Sequence, residues 1–122
     1  MDLKEIAAEL VAGCREGRER ANLDTLYAAD AVSAEPNDRD GQSRITQGRD
    51  AIKAKHDWFD SAMTDVQVET SDPMLHGDDR FAVRFYGTMK DAQSGEIYPM
   101  DEVAIYHVAD GKIVREEFFY NE

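Results

Sequence analysis

At 122 residues, with 42% apolar and 33% charged side chains, the chain fits a single domain spanning residues 1–122, and a core of that size requires no disulfide or structural metal. Its 26 acidic residues against 14 Lys and Arg leave a formal net charge of -12, which repels both a phosphate backbone and an anionic membrane surface and so excludes nucleic acid and membrane as expected partners. No stretch approaches the roughly 20 apolar residues of a spanning helix. The start, MDLKEIAAELVAGC, has no basic region ahead of its apolar residues, and a lone Cys14 cannot pair internally, so a cytoplasmic chain is expected.

A first helix starts at Asp2, with Glu5 at capping-box spacing. Leu3, Ile6, Ala7, Leu10, Val11 and Cys14 recur at spacings of three and four and form its core stripe. The charged run REGRER ends it. A short second helix follows, with Asn22 as a cap and Leu23, Leu26 and Tyr27 as its apolar face. AVSAEP reads as an extended piece stopped at Pro36, and the polar stretch from Asn37 to Gly48 reads as a surface loop. The third helix runs through GRDAIKAKHDWFDSAM, with Ile52, His56, Phe59 and Met63 inward and Trp58 and Ala62 beside them.

After Thr64 the pattern becomes extended. Asp65 to His76 is a strand broken near Pro73, and Arg80 to Lys90 alternates Phe81, Val83, Phe85 and Met89 against Arg84, Tyr86 and Thr88. Glu96 to Val108 and Lys112 to Tyr120 are joined by Asp110-Gly111, residues that suit a tight hairpin turn. Helices followed by a meander predict an α+β fold, with helices on one side of a curved, mostly antiparallel sheet.

Several residues could carry chemistry. Glu35, just before a proline and a loop, is either a surface carboxylate or a base at a pocket mouth, where partial desolvation raises basicity. Asp101 shares its strand face with Val103 and Ile105, while Ala104, Tyr106 and Val108 make the other face apolar too. A carboxylate in that setting is paired, protonated or functional. His56 is a cavity histidine or a proton carrier. Tyr27, Trp58, Phe59, Phe85, Tyr106 and Phe119 are either ordinary core or the lining of an apolar cavity, and Glu117, in phase with Ile113 and Phe119, looks inward or pairs at the rim. The three histidines lack ligand spacing, and no nucleotide, nucleophile-elbow or Cys-x-x-Cys motif occurs, so no metal or cofactor is expected. Apolar residues on both faces of the late strands predict a homodimer.

Taken in order, LYAADAVSAEP, QGRDAIKAKHDWF and MDEVAIYHVADGKIVREEFF resemble the SnoaL-like proteins of the ketosteroid isomerase and nuclear transport factor 2 superfamily, over about Leu3 to Tyr120. The resemblance implies a cone of about three helices on a curved sheet. It also implies cofactor-independent acid/base chemistry on a small apolar carbonyl compound, as in an isomerase or polyketide cyclase. A non-catalytic dimeric ligand-binding protein and a hydratase or epoxide-hydrolase-like enzyme are the alternatives. By the isomerase pattern Glu35 takes the place of the base and Asp101 that of the acid at the oxyanion, while Val11 stands where the first helix would carry a tyrosine. His56, on the inward stripe of the third helix, is the reserve proton carrier.

Overall fold

A computed structural model describes residues 1–121. Helix α1, Leu3–Glu16, is closed at its start by the expected capping box: Asp2 Oδ1 accepts from the Glu5 amide at 2.9 Å, and the Asp2 amide donates to Glu5 Oε1 at 3.0 Å. It stops at Gly17, whose φ of 74° lets the chain turn left-handed. Helix α2, Glu19–Leu26, begins earlier than expected, and Asn22 lies inside it instead of capping it. The reason is tertiary: Asn22 Nδ2 reaches the Glu9 carbonyl at 3.2 Å across a contact that Gly13, lacking a Cβ, leaves open.

Tyr27 already has extended geometry and opens β1, Tyr27–Ala34, rather than completing the α2 face. The expected loop then contains a short strand, β2, Ile45–Gln47, paired antiparallel with β1. Helix α3, Arg49–Ala62, passes directly into β3, Met63–Thr70. The remaining strands are β4, Met74–His76; β5, Arg80–Asp91; β6, Ile97–Ala109; and β7, Lys112–Phe119. The sheet order is β2-β1-β7-β6-β5-β3, with β4 on β5. All pairs are antiparallel except β1 with β7. The architecture is therefore the α+β one expected, with two strands placed between the helices.

The helices cover one face of this curved sheet. Leu3, Ile6, Leu10, Leu23, Leu26 and Ile52 pack there on Phe81, Val83, Ala104, Tyr106 and Ile113, and the Phe81 and Tyr106 rings stack with centroids 4.9 Å apart. The Asp110-Gly111 turn has φ of 52° and 73°, as its sequence predicts.

A register shift in the last hairpin decides what faces the core. His107 pairs with Arg115 but Val108 pairs with Ile113, so Val114 is an extra residue in β7. A one-residue bulge exchanges the faces of everything beyond it. Ile113 and Glu116 are thereby both buried under the helices, and Glu117 and Phe119 turn away.

β5 crosses β3 at Gly87, where a Cβ would lie 2.0 Å from the Gln67 carbonyl oxygen. Its φ of 153° and the irregular β3 register between Thr64 and Gln67 occur at this same crossing. Gly87→Ala forces backbone apart at a position no rotamer can relieve, and is expected to cost about 1–3 kcal/mol. Urea unfolding checks this; a midpoint equal to wild type would show that the crossing relaxes freely.

Candidate active site

A chain of polar side chains runs through the helix-covered face from the core to the rim. Glu116, 2% exposed, accepts hydrogen bonds from the Tyr27 phenol and, at 2.8 Å, from Ser33 Oγ. Lys55 Nζ donates to Ser33 Oγ at 2.8 Å and forms an ion pair with Glu35 Oε1 at 2.5 Å. Tyr120 donates to the other oxygen, Glu35 Oε2, at 2.9 Å. Six residues from β1, α3, β7 and the segments that follow β1 and β7, Glu35 and its ammonium partner among them, thus form one connected cluster.

Glu102 shares this pocket. It sits on β6 in phase with Ala104 and Tyr106, opposite Phe85 of β5. Among the described residues it has no hydrogen-bond or ion-pair partner. Burial, then the neighbouring Glu35 charge, pushes its carboxyl up to about 7, with Lys55 opposing and Glu116 adding. Two carboxyls in one pocket therefore have different settings: Glu35 is ion-paired, Glu102 is unpartnered and holds its proton up to neutrality. Tyr27 and Tyr106, fully buried beside Glu116, have phenols held well above their ordinary range by desolvation and that negative charge.

Beside the pocket lies a cleft of about 590 Å³ between Pro36 and Arg44, the middle of β6 and the end of β7, which Glu35 meets through its bond to Tyr120. Glu102, Phe118 and Tyr120 line it from the covered face, and Asp101, Val103, Glu117 and Phe119 from the opposite rim. The Lys55 ammonium lies 5.2 Å from the Phe118 ring centroid.

Placement of the residues named from sequence is mixed. Glu35 follows β1, half-buried between Lys55 and Tyr120, and Tyr27, Phe85 and Tyr106 are on the covered face, Tyr27 and Tyr106 as buried core and Phe85 packed against it. Asp101 is not inside. Its side chain is 65% exposed on the open face, where Arg84 holds it through two bonds of 2.9 and 3.1 Å, and that pairing lowers its pKa. Both faces of β6 are apolar, and the helices cover the one that carries Glu102, so the expected inward acid shifts by one residue. His56 is half-buried on α3 without a hydrogen bond to Glu35, Glu102 or Glu116; its neighbour Lys55 enters the pocket instead. Trp58 is 58% exposed and Phe59 half-buried, because the inward face of α3 is set by Ile52 and Lys55. Phe119 is 48% exposed and Glu117 pairs with Arg44 and Arg115 at the rim, both a result of the Val114 bulge.

Lys55, Ser33, Glu116, Glu102 and Tyr120 were not evident from sequence. Glu102 does alternate with Ala104, Tyr106 and Val108, and Lys55 lies three residues after Ile52, so the helical and strand periods contain both signals.

A SnoaL-like domain model matches residues 1–120. The chain belongs to the SnoaL-like domain family. No protein with a curated description matches it. Among solved structures it is similar to a Mesorhizobium loti protein described as a candidate SnoaL-like polyketide cyclase (carbohydrate phosphatase), at 29% identity and a TM-score of 0.89 over 98% of this chain and 100% of that one. A Mycobacterium tuberculosis protein in complex with estradiol-17β-hemisuccinate matches at 19% identity, a TM-score of 0.75 and coverage of 99% and 95%. A Catenulispora acidiphila protein with a ketosteroid isomerase-like fold, in complex with trimethylamine, matches at 16% identity, a TM-score of 0.72 and coverage of 96% and 85%. These last two establish the likeness of fold. Among the described residues of this SnoaL-like chain, no helix is long and apolar enough to cross a membrane.

Proposed function

We propose that this SnoaL-like protein binds a small, largely apolar carbonyl compound and enolises it by cofactor-independent acid/base chemistry, with Glu35 as base and Glu102 as acid. The observation that carries this is the unequal setting of two carboxyls facing one pocket, Glu35 ion-paired to Lys55 and Glu102 buried without a partner. Pairs of carboxyls set apart in this way can remove and supply protons at the same pH. Glu35 takes the α-proton, the C–H electron pair forms the enolate, and the negative charge reaches the carbonyl oxygen. Glu102 gives its proton to that oxygen; return of a proton to carbon and recovery of the enol proton by Glu102 complete an isomerisation or a deuterium exchange. Val103 and Phe118 supply apolar wall, and the cleft volume suits a compound of a few fused or substituted rings. The steroid ester bound by the Mycobacterium tuberculosis structure supports a ligand of that kind.

The test is exchange of α-protons for deuterium in a panel of cyclic ketones, followed by NMR in D₂O. Exchange by the wild type that Glu35→Gln abolishes is expected. Binding of ketones without any exchange would reject catalysis and leave a ligand-binding protein, the reading that the ligand complexes of the two fold neighbours favour.

The protein is also proposed to form a homodimer through the open face of the sheet. Met74, Ala82 and Ile105 fall in one cross-strand row and Val103 and Phe119 in the next, with Met74 and Phe119 exposed. Such a patch is covered most economically by its own copy about a two-fold axis. Sedimentation equilibrium at tens of micromolar is expected to give twice the chain mass, and Phe119→Glu to give the monomer. A monomeric wild type at that concentration rules the dimer out.

A further inference from the structure

We infer that Lys55 is a positioning residue, tethered through Ser33 to buried Glu116 so that its ammonium serves Glu35 and leaves Glu102 without a cation. The inference rests on the acid/base reading of the pocket and explains how two carboxyls that both feel the Lys55 charge are kept unequal. A lysine stem has four rotatable carbons and a compact charge, and left free beside two carboxylates it would divide its time between them. Here it is not free. Ser33 has one hydroxyl proton, and that proton points at Glu116 Oε2, 2.8 Å away. The Ser33 oxygen can therefore only accept from Lys55, which it does at 2.8 Å. Glu116 cannot turn to release it, because its other oxygen is held by the Tyr27 phenol. The ammonium, fixed on Ser33 and lying near the Phe118 ring, has Glu35 within 2.5 Å and makes no ion pair with Glu102.

The charged and titratable groups around Glu102 come from every side of the pocket. Glu35 follows β1, Lys55 is on α3, Glu116 is on β7, Tyr120 follows β7, and Tyr106 is on β6 itself. Asp101, Glu117 and Arg44 line the cleft as well, Asp101 paired with Arg84 and Arg44 held by Glu117 and the Glu35 carbonyl, so Lys55 is the cation that acts on Glu102. Burial and the Glu35 charge raise the Glu102 carboxyl and Lys55 opposes them, so an ammonium closer to Glu102 lowers it, and Ser33 holds the ammonium where it is.

Ser33→Ala removes the tether without changing any charge. The released ammonium has two places to go. Reaching Glu116 requires full desolvation in the core, whereas the rim beside Glu102 keeps it partly hydrated, so it moves toward Glu102. The measurement is titration of the Glu102 side-chain carbon by ¹³C NMR in the folded protein, which needs no substrate. The wild type is expected to titrate near 7. Ser33→Ala is expected to lower that midpoint by about one pH unit or more, Ser33→Thr to restore it, and Lys55→Met to raise it above wild type. An unchanged or higher midpoint in folded Ser33→Ala overturns the tether. An unchanged midpoint in Lys55→Met overturns it equally, should the Ser33→Ala variant fail to fold. A wild-type Glu102 that titrates near 4.5 instead defeats the acid/base reading on which the inference stands.

Discussion

Glu116→Ala is expected to cost about 3–5 kcal/mol of folding stability and to lower the thermal midpoint by about 10 °C or more. The side chain is 2% exposed, and two donors from β1 end on it, the Tyr27 phenol and Ser33 Oγ. Truncation leaves both donors in the core without an acceptor, and each buried unsatisfied group costs about 1–3 kcal/mol. It also opens a cavity between β1 and β7, the one parallel pairing in the sheet. Glu116→Gln keeps the shape and one acceptor, so it should lose clearly less. Thermal unfolding followed by circular dichroism separates the two variants. A loss below about 1 kcal/mol for the alanine would mean that the buried network contributes little and that neighbouring packing alone joins the strands.

Glu102→Gln is expected to slow ketone α-proton exchange on the order of a hundredfold to a thousandfold, with binding little changed. The amide fills the same space but has no acidic proton to give to the developing enolate oxygen. In the wild type, exchange should decline as pH rises through about 7, where Glu102 loses its proton, and the glutamine variant should lack that limb. Stability carries the same signature. The folded carboxyl titrates at about 7 against an ordinary 4.5, so its stabilising contribution is complete below 4.5 and is lost as pH rises through 7. The loss amounts to on the order of 3 kcal/mol, and Glu102→Gln should flatten stability across that window. Asp101→Asn is the matched control, one residue along the strand, exposed and paired to Arg84, and it should leave exchange within about twofold of wild type. If Asp101→Asn removes activity and Glu102→Gln does not, the assignment of the acid is reversed.

The contrast between those neighbours shows how far the sequence could be read. Alternation along Glu96 to Val108 separates odd from even residues without ambiguity, yet Val103 and Ile105 are about as apolar as Ala104 and Tyr106. Period two tells which residues share a face; it does not tell which face the helices cover. In β7 even the period fails, because Val114 bulges and transfers the inward position from Glu117 to Glu116. A bulge is a tertiary accommodation in the closing hairpin, and nothing in KIVREEFF marks it. The same holds for α3, where His56 and Lys55 are adjacent and the rotation of the helix against β1, not its pattern, brings the lysine inward.

What the sequence determined by itself is the set of elements and their class. The Asp2 to Glu5 capping box, the α1 stripe, the Asp110-Gly111 turn and the long alternating strands are local signals, each readable within a few residues because hydrogen bonding and φ/ψ preference act at that range. Glu35, at the end of a strand and before a proline, was legible for the same reason. The other half of the candidate site was decided only by tertiary structure. Its members lie on β1, α3, β6 and β7 and beyond β7, up to 89 residues apart in the Tyr27 and Glu116 bond. Their chemistry arises from burial and mutual charge: a glutamate becomes an acid at neutral pH only when a fold removes its water and directs the nearest ammonium elsewhere.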